Sequence, residues 1–153
     1  MLVITLELEP MDLEDKIDSY SRGHITIQGK YGIISSKNAD IDRSMMIFIS
    51  IVELLDGLRL FFLNQTNQKY NFVGTDSSFQ FFLIKIQSNQ LRLTSVKNKL
   101  IDEITQLDTI NVVWKEVKNF ISKYGCFLDE NEIVKDDLTS SIETFKKQFN
   151  LNN

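Results

Sequence analysis

Residues 45–63 read MMIFISIVELLDGLRLFFL, and this stretch decides how the rest of the chain must fold. Met45, Phe48, Val52, Leu55 and Phe62 form one apolar stripe at helical spacing, and Ile47, Ile51, Leu54, Leu58 and Phe61 form a second. Only Arg43, Ser50, Glu53 and Gly57 leave a narrow polar strip. A helix that is apolar over most of its circumference has to be covered over most of it. The spacing therefore predicts a central helix over residues 42–63, capped by Asn38-Ala39-Asp40 and lying between a sheet and other helices. A membrane span is excluded by Glu53, Asp56 and Arg59, because charges at the bilayer centre are costly. Asp56 is the anomaly of the helix. It can pair with Arg59 three residues on or reach solvent beside Gly57, and buried alone it would be expensive.

Upstream, Leu2, Ile4, Leu6 and Leu8 alternate with Val3, Thr5, Glu7 and Glu9, the period of a half-buried strand that Pro10 stops. HITIQGKYGIISS, residues 24–36, reads as a hairpin about Gly29-Lys30-Tyr31-Gly32, with Gly29 free to take a positive φ. GKYG lacks the spacing of a phosphate loop and is followed by a strand rather than a helix. Downstream, Tyr70–Gly74, Phe79–Gln87 and Leu91–Asn98 read as an antiparallel meander. Its middle strand is apolar on both faces, with Phe79, Phe81 and Leu83 opposed to Phe82, Ile84 and Ile86. Residues 100–105 fit either a short strand or the start of a helix.

Two amphipathic helices follow. One carries Leu107, Ile110, Trp114, Val117, Ile121 and Tyr124 and ends at Gly125. The other carries Val134, Leu138, Ile142, Phe145 and Phe149 behind a capping box of Asp129 and Glu132. The expected fold is a single α+β domain over residues 1–153. It is an antiparallel sheet of five to six strands with a central apolar helix and two C-terminal amphipathic helices packed on one side.

The charge and composition narrow the function. A formal net charge of −4 and the lack of any arginine-rich run argue against a nucleic-acid partner. The opening MLVITLELEPMDLED is acidic and alternating, unlike a secretory leader. The single cysteine, Cys126, cannot form an internal disulfide, which suits a reducing compartment and a cytoplasmic protein.

Catalytic residue types are sparse. The only histidine, His24, could serve a Ser-His-Asp or Cys-His site only if the fold brought a nucleophile to it. One His and one Cys leave zinc without its usual ligands, and no loop matches a calcium site, so no cofactor is expected. Glu14-Asp15-Lys16 and Glu116-Val117-Lys118 match a Glu-x-Lys fragment of metal-dependent nucleases, but neither lies on a predicted strand. A carboxylate-dependent hydrolase would need at least two of Asp40, Asp42, Asp56 and Asp76 in one cleft. Asp76-Ser77-Ser78-Phe79 reads as an Asx or Ser turn leading into the most apolar strand.

Taken together, SMMIFISIVELLDGLRLFF and YNFVGTDSSFQFFLIKI resemble a group of small bacterial proteins encoded near polymorphic toxins and regarded as immunity proteins. The likeness runs over residues 44–86 and rests on S-M-M-I-F-x-S-I-V-x-L-L-D-G-L followed by V-G-x-D-S-S-F. It implies a cytoplasmic, non-enzymatic protein whose partner is a cognate toxin, with neither nucleic acid nor membrane involved. An acidic binder could steer toward a basic toxin surface. The candidate patches are Asp12, Glu14, Asp15 and Asp18 near the N-terminus, and Asp129, Glu130, Glu132, Asp136 and Asp137 at the last helix. A regulatory or structural subunit that binds through a sheet face or edge is the third reading.

Overall fold

The computed structural model describes residues 1–12, 15–37 and 40–153. The expected Asn38-Ala39 part of the helix cap, and Glu14 of the first acidic patch, lie outside them. The described strands form two four-stranded antiparallel sheets rather than one sheet of five to six. The first sheet contains β1 (Val3–Leu8), β2 (Arg22–Gln28) and β3 (Ile33–Ser35) in that order, and β4 (Met45–Met46) also pairs with β2. The second contains β5 (Lys69–Val73), β6 (Gln80–Gln87), β7 (Gln90–Thr94) and β8 (Leu100–Thr105) in sequence order. Residues 100–105 are thus a strand, and its inward Ile101 and Ile104 are buried.

The helix expected over residues 42–63 is shorter, α1 (Ile47–Leu63). Its first residues are diverted because Met45 and Met46 pair with Gly23 and Arg22 of β2. The strip read as polar faces solvent only in part, at the exposed Glu53. Ser50 is fully buried, and its Oγ accepts the Thr75 N–H at 2.9 Å. Gly57 lies against Tyr70 of β5, where a Cβ would stand 2.5 Å from the phenol oxygen and 2.7 Å from Cε1. Buried side chains from α1 (Leu54, Leu58), the first sheet (Ile25, Ile27) and the second (Phe81, Leu83, Leu93) share one core. The two sheets thus pack their apolar faces against α1, which also meets α2 through Phe48–Phe120 and the end of α3 through Phe62–Phe149.

The remaining helices are α2 (Gln106–Tyr124) and α3 (Ile133–Gln148), with a 3-10 turn at Gly125–Phe127 between them. Thr105 caps α2 by accepting the Asp108 N–H at 3.0 Å. Leu107, read as part of the apolar stripe, is instead 64% exposed. Aromatic pairs tie the helices together. Phe48 of α1 meets Phe120 of α2 at 5.5 Å between centroids, and Trp114 stacks on Phe145 of α3 at 6.1 Å. No helix is long and apolar enough to cross a membrane among the described residues.

Gly29 opens the expected turn, with its N–H bonded to the Gly32 carbonyl at 2.9 Å, but without a positive φ. Its lack of a side chain serves close approach instead. A Cβ there would run into the Ile101 carbonyl oxygen of β8. The hairpin tip thereby docks on the second sheet, where Tyr31 N–H donates to the Ile101 carbonyl at 2.9 Å.

Candidate functional site

The motif residues of 44–86 come together as one interlock between the sheets. Arg22 of β2 is its hub. Its Nε donates to Ser44 Oγ at 2.8 Å and its Nη2 to the Ser44 carbonyl at 2.5 Å. The same guanidinium donates to the Asp76 carboxylate at 2.8 Å and the Asp76 carbonyl at 2.9 Å. Asp76 holds a positive φ of 55°. Met46 N–H donates to the Thr75 carbonyl at 3.0 Å, and Met45 fills the space above Gly74. Ser77, not Asp76, makes the expected side-chain turn, since its Oγ accepts Phe79 N–H at 3.1 Å and donates to the Arg43 carbonyl. Ser78 is exposed and Phe79 buried. These residues hold the two sheets in register, which accounts for their pattern without any ligand. Asp56 is half-buried and makes no ion pair with Arg59 among the described residues.

The fold does bring partners to His24. Its Nδ1 lies 2.9 Å from Ser36 Oγ and its Nε2 lies 3.0 Å from Glu9 Oε1. This is the hydrogen-bond order of a nucleophile, base and carboxylate. Sequence reading missed Ser36 and Glu9 because they stand 12 and 15 residues away on neighbouring backbone. The hydroxyl, however, is spent on structure. Ser36 is 0% exposed and its Oγ accepts the Ile25 N–H at 2.9 Å, so no substrate carbonyl can approach it.

Glu9, His24, Asp40 and Asp42 line a cleft of about 480 Å³ together with Lys37 and Arg43. Two of the four aspartates named for hydrolytic chemistry therefore share a cleft. Asp56 and Asp76 are not among its lining residues. The Asp42 carboxylate accepts Ser44 N–H at 2.9 Å, and the bonds from Ser44 hold its carboxyl below the usual carboxylate range. No group of three His, Cys, Asp or Glu is placed to hold a metal ion among the described residues.

The acidic segments show the largest change from the linear view. Glu132 is not a free patch member. Its Oε2 accepts Ser19 N–H at 3.0 Å and Ser19 O–H at 2.6 Å, across 113 residues of sequence. Ser19 Oγ in turn accepts the Val134 N–H at 3.2 Å, so a serine from the N-terminal segment caps α3. This replaces the expected capping box, because the Asp129 carboxylate accepts the Asn131 N–H in the preceding turn while its carbonyl accepts that of Glu132.

The latch ties the N-terminal acidic segment to the start of α3. Asp12 and Asp15 are exposed and Asp18 half-exposed in the first segment, beside the exposed Lys16, and Asp129, Glu130, Asp136 and Asp137 are exposed in the second. Lys135, the cation within the second segment, is turned away. Its Nζ donates to the Gly125 and Leu128 carbonyls at 3.2 and 3.4 Å. Glu116 of the second Glu-x-Lys fragment is also structural, its Oε1 accepting the Leu6 N–H of β1 at 2.9 Å. Comparison with protein-family models, with curated proteins and with solved structures finds no match.

Proposed function

We propose that this chain is a non-enzymatic binding protein that acts in the cytoplasm as an immunity protein, neutralising a cognate bacterial toxin by direct contact. The observation that carries the reading is the tie between two exposed acidic segments. Asp12, Asp15 and Asp18 in one and Asp129, Glu130, Asp136 and Asp137 in the other are linked through the Ser19–Glu132 latch, with Lys135 withdrawn in the second and Lys16 exposed in the first. Clustered carboxylates raise the encounter rate with a basic surface and disfavour nucleic acid and anionic membranes. The resemblance within residues 44–86 supplies the class of partner, and the buried Ser36 hydroxyl speaks against acyl-transfer chemistry at His24.

The test is co-expression with the toxin domain encoded beside this gene. Rescue of growth and a purified complex are expected. Changing Asp12, Asp15, Asp129 and Glu130 to their amides should lower the association rate about tenfold or more at low salt, and little at high salt. Failure to rescue, or a rate indifferent to both changes, would refute the proposal.

The cleft holding Asp40, Asp42, Glu9 and His24 favours one second reading, a carboxylate-dependent hydrolase. Turnover of ester or phosphodiester substrates that is lost in both Glu9→Gln and Asp40→Asn would support it. Absence of turnover with added Mg²⁺ or Mn²⁺ would exclude it.

A further inference from the structure

The ends of the sheets are treated unequally. At β1 the outward Leu6 N–H is taken by Glu116 of α2. At β8 the outward Ile101 carbonyl accepts Tyr31 N–H, and the outward Glu103 N–H donates to Asp102 Oδ1 at 2.8 Å. β3 is only three residues long. β5 is different. Its ladder bonds include Gly74 N–H to the Phe79 carbonyl and Lys85 N–H to the Gln68 carbonyl. In an antiparallel ladder this alternation commits Tyr70 and Phe72 to β6, and turns the backbone groups of Lys69, Asn71 and Val73 outward. Asn67 Oδ1 takes the Lys69 N–H at 3.4 Å, which leaves the Lys69 carbonyl and the Asn71 and Val73 groups as the open edge. All three residues are exposed, Val73 by 46%.

A shallow wall stands over that edge. Glu53, Gly57 and Leu60 recur at i, i+4 and i+7 of α1 and share the stripe that faces Tyr70. Gly57 keeps the wall low, and Leu60 is 56% exposed beside it. Lys69 sets a positive charge on the outer face, with its Nζ 4.2 Å from the Phe82 ring centroid.

We infer that the β5 edge, Lys69–Val73, is a binding site for an extended segment of another protein, which adds to the second sheet as a further strand. Unpaired strand donors and acceptors specify an extended backbone. The side chains specify its pattern, a carboxylate opposite Lys69 and an apolar residue opposite Val73. A second copy of this chain fits less well. Antiparallel pairing centred on Asn71 sets Val73, not a carboxylate, opposite Lys69, and the Glu53 stripes of the two copies stand over the same seam. The site is separate from the acidic segments, so it stands or falls independently of the toxin reading.

The test is selection of a linear 12-residue phage-displayed library on the full chain, with the tightest selected peptide then synthesised as the probe. Before the probe is added, the Asn71 and Val73 amides should exchange with solvent much faster than those of Tyr70 and Phe72. With the probe bound, both should slow at least tenfold, and the selected sequences should carry the acidic and apolar positions four residues apart. Asn71→Pro removes an outward N–H that no neighbouring strand uses, so it should keep the fold and weaken binding at least tenfold. Val73→Pro provides the same test at the strand end, with circular dichroism confirming that each variant is folded. No selected binder, binders that leave the two amides unprotected, or unchanged affinity in both folded variants would overturn the inference. A concentration-dependent dimer that Asn71→Pro abolishes would overturn it in favour of a second copy.

Discussion

Replacing Gly57 with alanine sets two effects of known sign against each other. In a helix interior alanine is favoured over glycine by about 1 kcal/mol. At this position the new methyl would stand 2.5 Å from the Tyr70 phenol oxygen, 2.7 Å from Cε1 and 2.8 Å from Cζ. The ring is rigid and packs against Phe61 with centroids 5.8 Å apart, so it cannot yield by a simple rotation. Overpacking of this kind costs roughly 1–3 kcal/mol. Gly57→Ala should therefore destabilise the fold by up to about 2 kcal/mol, lowering the melting temperature by up to roughly 8 °C for a chain of this size. The assay is urea unfolding followed by circular dichroism, in the wild-type and in a Tyr70→Leu background. Once the ring is gone, the same substitution should be neutral or stabilising by up to about 1 kcal/mol. If Gly57→Ala stabilises both backgrounds equally, the two residues are not coupled and the packing of α1 on β5 is wrong.

Three further outcomes follow from the same contacts. Arg22→Ala removes bonds to Ser44 and to Asp76 at once and should cost about 2–3 kcal/mol. Asp76→Ala should cost less than about 1 kcal/mol, because that carboxylate is 66% exposed, and thermal melts of the two variants rank them. Ser19→Ala deletes the hydroxyl that caps α3 and should cost about 1–2 kcal/mol, with amide exchange rising first at Val134. Burial, and then the Glu53 carboxylate nearby, push the Tyr70 phenol above its ordinary 10.0. A raised folded-state value means that stability from the protonated phenol is complete below pH 10 and is lost as pH rises beyond it. Urea midpoints compared between pH 9 and pH 11 should fall further in the wild type than in Tyr70→Phe; an equal fall would refute the burial of this phenol.

Periodicity alone was sufficient for most of the elements. The alternation of Leu2–Leu8, the hairpin about Gly29–Gly32, the meander and both amphipathic stripes are local patterns, set by which residues share a face at period 2 or 3.6. The apolar girth of residues 45–63 likewise required a central helix, and α1 is covered by strands of both sheets and by α2 and α3. Local pattern carries no information about which strands pair across long stretches of chain. That is why one sheet was expected where two exist, and why β4 was read as the first turn of α1. The polar strip of α1 also misled, since Ser50 and Gly57 are polar or small in order to meet the Thr75 backbone and the Tyr70 ring, not water.

The candidate sites divide in the same way. The residue types were visible in the sequence, as carboxylate runs, a lone histidine and a turn at Asp76. Their partners were not, because each is fixed by a contact over a long separation: Asp76 by Arg22, 54 residues away, and Glu132 by Ser19, 113 residues away. His24 acquired Ser36 and Glu9 through strand register alone. Sequence determined what chemistry this protein could carry. Tertiary structure decided which groups are spent on holding the fold and which remain at the surface, because hydrogen-bond partners and exposure are set by packing between segments that the sequence keeps apart.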